Sequence, residues 1–310
     1  MPAYGAKMKL KKFDLAAAVL VMTLWGANFS VIGLGLHSID PFIMTLLRSL
    51  FCAFPLVFFI TKPKNISYST LAIYGILFGV GMGGGLNLAM NQGLSAGMSS
   101  VLLQFSAFFT IFLGYLFLKE RVTKIHIVGM IFSSAGLFMS ASTPAEQSTA
   151  TGIVLILFAA LSWALCNLIV KLTKPEDMVS FIVWSSLFSA PALLLITLII
   201  KGTQPLQELH SSITWQGTLS ILFQSYITTI LGYMIWNNLI KKYPTCAIAP
   251  LSLIVPIAGI ITSHLFLDER LSLTQGIAIT CIFIGISIFI NSGSISKYLN
   301  KRQGRKVTAL

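Results

Sequence analysis

The sequence predicts an all-α membrane protein of ten transmembrane helices, arranged as two inverted five-helix repeats around a central cavity. Three observations predict it: apolar stretches long enough to cross a bilayer, a one-sided distribution of Lys and Arg, and a motif that returns after 149 residues.

The apolar stretches come first. The 310 residues are 55% hydrophobic and 10% charged, against about 25% charged in a soluble domain. So few charges cannot cover a water-facing surface. The apolar residues gather in runs of roughly 18–25, the length that spans the hydrocarbon core. Their polar breaks place helices at 14–35, 41–61, 69–92, 96–118, 124–141, 151–172, 178–200, 215–239, 246–267 and 273–291. The first run follows Lys7, Lys9, Lys11 and Lys12, as a signal peptide would. It is longer than a signal core and carries Trp25 and Asn28, so it is read as the first helix.

The charges come second. A formal net charge of +12 could suit nucleic acid, but the basic residues sit in short clusters between apolar spans, where topology signals lie. With the N-terminus inside, eighteen Lys and Arg fall on the inner side and two, Lys201 and Arg270, on the outer side. Both termini are therefore expected in the cytoplasm, and the helix number is even. Lipid is the expected partner and nucleic acid is not. The four cysteines, Cys52, Cys166, Cys246 and Cys281, lie in or beside apolar runs without CxxC spacing. They read as small packing residues, with no disulfide framework and no metal site. No cofactor is expected.

The repeat comes third. Leu118-Lys119-Glu120-Arg121-Val122-Thr123 returns as Leu267-Asp268-Glu269-Arg270-Leu271-Ser272. Trp25-Gly26-Ala27-Asn28 is echoed by Trp163-Ala164-Leu165-Cys166-Asn167. Five helices per copy is an odd number, so the second copy is inverted in the membrane, a transporter architecture with its site between the halves. The expected units are 12–141, 151–291 and a basic tail at 292–310.

Within the spans, Arg48 is the single unambiguous charge, roughly 10 Å along its helix from Pro41. Such a residue costs several kcal/mol unless paired or hydrated. It reads either as an anchor for a substrate carboxylate, which suits a planar guanidinium, or as a packing residue bonded to carbonyls. Asn28, Asn87, Gln104, Asn167 and Gln224 are candidate contacts for a polar substrate, with interhelical hydrogen bonding as the alternative. Trp163, Trp184 and Tyr233 are candidate cavity walls, alongside Trp25, Tyr226 and Trp236. Trp215, at a helix start, fits an interfacial belt. His264, near a helix end, reads as a packing or interfacial residue. Gly79-Val80-Gly81-Met82-Gly83-Gly84-Gly85 contains GxGxxG but follows no strand. Close helix approach, with local flexibility, is the better account. Pro250 and Pro256 predict a kinked or broken ninth helix. All nine acidic residues lie at helix ends or in loops, which disfavours a permanently cationic substrate and favours a neutral or zwitterionic small molecule.

These features resemble the EamA family of the drug/metabolite transporter superfamily, from about Asp14 to Asn291. The likeness is carried by Trp25-Gly26-Ala27-Asn28, Arg48, the two Glu-Arg loops and Ala249-Pro250-Leu251-Ser252-Leu253-Ile254-Val255-Pro256. Leu103-Gln104-Phe105-Ser106-Ala107-Phe108-Phe109-Thr110 and Gly232-Tyr233-Met234-Ile235-Trp236 look most like the branch that exports O-acetylserine and cysteine. The resemblance implies a bacterial inner-membrane transporter whose helices 1–4 and 6–9 line the cavity. It implies export of small amino acids or related metabolites by alternating access. An uptake permease, or an exporter of another polar metabolite, fits the same fold. An intramembrane enzyme would need placed acid, base or metal groups, and the sequence holds neither HExxH nor an intramembrane Asp pair.

Overall fold

The computed structural model describes residues 11–118, 124–142, 149–242, 251–252, 254–270 and 272–290, with 295 and 298 beyond them. Among the described residues every regular element is helical. In chain order these are α1 (Lys12–Leu36), α2 (Pro41–Ala53), α3 (Tyr68–Asn91), α4 (Ala96–Leu102 and Ser106–Leu118) and α5 (Lys124–Ser142). Then follow α6 (Ala150–Thr173), α7 (Met178–Lys201), α8 (Trp215–Leu222 through Gly232–Lys242), α9 (Ile254–Leu267) and α10 (Leu273–Ile290). Seven of them, α1–α4 and α6–α8, belong to segments long and apolar enough to cross a membrane, and α5, α9 and α10 hold shorter apolar stretches. Apolar side chains such as Phe138, Ile199 and Leu265 point outward and exposed, as a lipid-facing surface requires. The basic tail from 299 onward, the loop Lys119–Thr123 and Cys246 to Pro250 lie outside the described residues.

Local sequence sets the helix ends. Asp40 starts α2: its Oδ1 accepts from the Phe42 and Ile43 amides at 2.9 and 3.4 Å, with Pro41 in the first turn. Asp177 starts α7 likewise, accepting from Val179 and Ser180 at 2.9 and 3.3 Å. A carboxylate there meets amides that have no intrahelical partner. Helix α2 ends at Ala53, short of the expected 61, because Pro55 offers no N–H and restricts Phe54 before it. One short turn, Leu56–Phe58, follows. Pro256 falls in the first turn of α9, where a missing N–H is tolerated. Of the cysteines, Cys52 and Cys166 are buried, and they and Cys281 are free.

The packing between halves follows a reciprocal plan. Helix α1 packs on α9 and α8, while α6 packs on α4 and α3; α2 meets α7, and α5 meets α10. Exchanging the halves returns the same set of pairs. The α5–α10 contact makes the reciprocity explicit. Ser133 Oγ donates to the Ile282 carbonyl at 3.2 Å, across 149 residues. A Cβ on Gly136 would lie 2.5 Å from the Ala278 carbonyl, and one on Gly285 would lie 2.5 Å from that of Gly129. Gly136 and Gly285 are themselves 149 residues apart, as are Gly129 and Ala278. The two helices thus cross antiparallel at corresponding positions, as an isologous contact does, and glycine brings their backbones close.

Two contacts lock the halves together at helix ends. Glu269, after α9, receives the Ala96 amide on Oε1 at 2.7 Å and the Gly97 amide on Oε2 at 3.0 Å. A carboxylate of the second half thereby caps α4 of the first. Thr149 Oγ1 donates to the Gln92 carbonyl at 2.6 Å and accepts from the Gly152 amide at 3.0 Å. His264 Nδ1 lies 3.0 Å from the Glu269 carbonyl oxygen, on an exposed helix end.

Candidate functional site

Both α3 and α8 leave regular α-helical winding in mid-span. Ile76–Gly84 and Phe223–Leu231 form π-helical turns of nine residues each. Such turns are rare and frequently mark functional positions. Between them lies a central cavity of about 70 Å³, lined from α1 (Trp25, Asn28, Phe29), α2 (Arg48), α3 (Phe78, Met82, Leu86) and α4 (Leu103, Gln104), and from α6 (Trp163), α8 (Thr228, Thr229, Tyr233) and α9 (Val255). A space of this size holds only a few waters. A larger solute needs its lining side chains to move.

Arg48 supplies the cavity's charge. Its residue is 7% exposed, and its Nη2 has no hydrogen-bond partner. The guanidinium carbon stands 5.4 Å from the centre of the Phe78 ring. Burial of such a group costs several kcal/mol, and attraction to an aromatic face contributes about 0.5–2 kcal/mol, so the ring alone does not offset it. Among the described residues no carboxylate pairs with Arg48. Asp14 is bridged to Lys242, Asp40 to Lys201, and Glu269 is spent on α4. The Ser225 hydroxyl donates to the Arg48 carbonyl at 3.2 Å and to that of Ile221 at 2.8 Å, which ties α2 to the π-helical part of α8. On the opposite side, Gly83 makes room for the guanidinium: a Cβ there would lie 2.2 Å from Nη2.

Aromatic side chains form the walls. Trp25 donates from Nε1 to the Thr228 carbonyl at 2.8 Å, and its ring lies 5.0 Å from Tyr233 and 5.9 Å from Trp236. Phe78 meets Tyr233 edge-on at 5.6 Å. Asn28 contributes the opposite polarity to Arg48: its Oδ1 is buried without a hydrogen-bond partner. Gln104 reaches the cavity from the short 3-10 turn Leu103–Phe105 that interrupts α4.

The structure thus gathers five of the nine sequence candidates, Asn28, Arg48, Gln104, Trp163 and Tyr233, around one space. The other four stand elsewhere. Asn87 donates to Thr45 Oγ1 at 2.8 Å, joining α3 to α2. Asn167 donates to Thr110 Oγ1 at 3.3 Å, joining α6 to α4. Trp184 donates to the Ile60 carbonyl at 2.9 Å. Gln224 donates to Ser220 Oγ at 3.1 Å and leaves its Oε1 unpaired. Tyr226 lines an apolar outer groove with Trp215 and Val31. Sequence reasoning passed over Thr228, Thr229, Phe78 and Met82. The paired threonines inside an apolar run were the available signal.

The comparisons with known proteins agree with this architecture. The profile of the EamA-like transporter family matches residues 13–142 and again 150–291. A probable amino-acid metabolite efflux pump of Escherichia coli is 35% identical over 90% of this chain and 95% of its own length. A pump of the same description from Salmonella typhimurium is 34% identical, over 90% and 95%. A solved crystal structure superimposes with a TM-score of 0.59 at 13% identity, covering 90% of this chain and 98% of that one, a likeness of fold alone.

Proposed function

We propose that this chain, which belongs to the EamA-like transporter family, exports small amino acids or related metabolites of the cysteine and O-acetylserine kind. Family and relatives make it a multi-pass membrane transporter of a small molecule. The finer reading is ours. Ten spans form two inverted repeats, 12–141 and 151–291, in a bacterial inner membrane, with the basic tail 292–310 and the N-terminus cytoplasmic. The double match to one profile, the antiparallel α5–α10 contact at residues 149 apart and the biased Lys and Arg distribution support that arrangement. Alternating access follows from a site between two halves that exchange exposure.

One observation carries the substrate reading: a buried guanidinium with an unpaired nitrogen at a cavity lined, among the described residues, by no carboxylate. A ligand carboxylate both neutralises it and fills its donor geometry. In this reading Asn28, Arg48, Gln104, Trp163 and Tyr233 contact the substrate directly. Asn87, Asn167, Trp184 and Gln224 act from outside the lining through the helix contacts they hold. The test is flux from proteoliposomes loaded with a panel of amino acids. Export of several small amino acids is expected; no amino-acid flux beside robust flux of another metabolite class would overturn it.

A further inference from the structure

Resting on that reading, we infer that Asn28 receives the substrate's α-ammonium group, so that a free amine is required for recognition and a carboxylate alone does not suffice. The juxtaposition of two unpaired atoms of opposite hydrogen-bonding sense in one cavity carries this. Arg48 Nη2 is a donor without an acceptor, and Asn28 Oδ1 is an acceptor without a donor; both are buried.

A simple carboxylate would satisfy Arg48 and leave the Asn28 oxygen desolvated and unpaired, which is the expensive way to bury a polar group. A simple cation would satisfy Asn28 and meet the guanidinium as a like charge. A zwitterion satisfies both ends and brings no net charge into a low-dielectric space. An ammonium group also needs more than one contact to replace its water. The aromatic walls supply it: Trp163 and Tyr233 line the same cavity, and Trp25 lies against Tyr233. Their faces attract cations. Nothing acidic competes for this role, since among the described residues the carboxylates stand at helix ends and linkers.

The recognition is therefore bipolar, with a donor on α2 and an acceptor on α1. Both belong to the first half, and the second half closes over them with Trp163, Thr229 and Tyr233. Met82, Leu86, Leu103 and Val255 add an apolar part to the lining, beside the polar Gln104 and Thr228, for whatever side chain the substrate carries.

The test is competition against export of radiolabelled L-cysteine from proteoliposomes, using L-alanine, L-lactate and L-alaninamide. These three keep the methyl group; L-lactate replaces the ammonium by a neutral hydroxyl, a single weaker donor, and L-alaninamide replaces the carboxylate by a neutral amide. L-Alanine is expected to compete at least tenfold better than either analogue. Equal competition by L-lactate and L-alanine would overturn this inference while leaving the Arg48 reading standing. Equal competition by L-alaninamide and L-alanine would instead remove Arg48 from the site. No L-cysteine export and no alanine competition would overturn both. In the Asn28→Leu variant, the alanine-to-lactate preference is expected to fall about tenfold. In Asn28→Asp, which keeps an oxygen in place, the preference is expected to persist. An Asn28→Leu protein that loses alanine and lactate competition in equal measure would assign Asn28 to packing and overturn the proposal.

Discussion

Helices α3 and α8 adopt the same unusual winding and reach it by opposite means. Ile76–Gly84 contains Gly79, Gly81, Gly83 and Gly84 and otherwise apolar side chains. Phe223–Leu231 contains no glycine but carries Gln224, Ser225, Thr228 and Thr229. In α3 the backbone loosens because glycine is permissive and brings no side chain to pack. In α8 hydroxyls bond back to the preceding turn: Ser225 Oγ to the Ile221 carbonyl at 2.8 Å, Thr228 Oγ1 to that of Gln224 at 3.0 Å. Such back-bonding competes with the helix ladder and bends it. Helix α3 therefore offers space beside the cavity, and helix α8 offers polar side chains.

That division can be broken experimentally. The largest effect is expected at the charge for which the space exists. Arg48→Gln should lower transport about 100-fold, near 2.7 kcal/mol, with the protein still monodisperse in detergent; Arg48→Lys should recover part of it. Preserved flux in both variants would make Arg48 a packing residue. Next comes the clamp between the halves. Glu269→Gln exchanges a charge-assisted double cap for a neutral amide, and a loss of about 2 kcal/mol in stability is expected, read as a lower thermal midpoint in detergent. Smaller again, Gly83→Ala should raise KM about tenfold by displacing the guanidinium. The neighbouring Gly84→Ala, whose Cβ would meet nothing closer than 3.7 Å, should be silent. Equal effects at 83 and 84 would show that α3 matters through its backbone and not through the room it leaves. The smallest expected change is at Thr229→Val in α8, about threefold in KM, or ~0.7 kcal/mol, measured as initial efflux rate against substrate concentration.

Much of this was legible in sequence, and the unread part has a physical cause. Hydropathy marked the positions of the apolar helices, seven of which are long and apolar enough to cross a membrane, because a bilayer imposes length and polarity on every span. Arg48, Asn28, Gln104, Trp163 and Tyr233 announced themselves as polar or aromatic residues inside such spans. Asn87 and Asn167 announced themselves equally, yet their amides donate to Thr45 and Thr110. A sequence shows the cost of a buried amide but not which neighbour meets it. The π-helical turns were hidden for a different reason. Winding is set by the balance of backbone bonds over a turn, and the glycine run hinted at it in α3 alone. The Glu-Arg loops read as markers between successive helices, whereas Glu269 reaches a helix that lies far from it in the chain.

That reach has a consequence for how the protein is made. Glu269 follows Ala96 by 173 residues, so α4 leaves the ribosome long before the carboxylate that caps it. The amides of Ala96 and Gly97 lack that acceptor in the interval, since a helix start has no acceptors of its own. The fold of the first half is in that sense provisional. The ninth helix has to arrive, and the loop behind it has to fold back, before the first half reaches its final form.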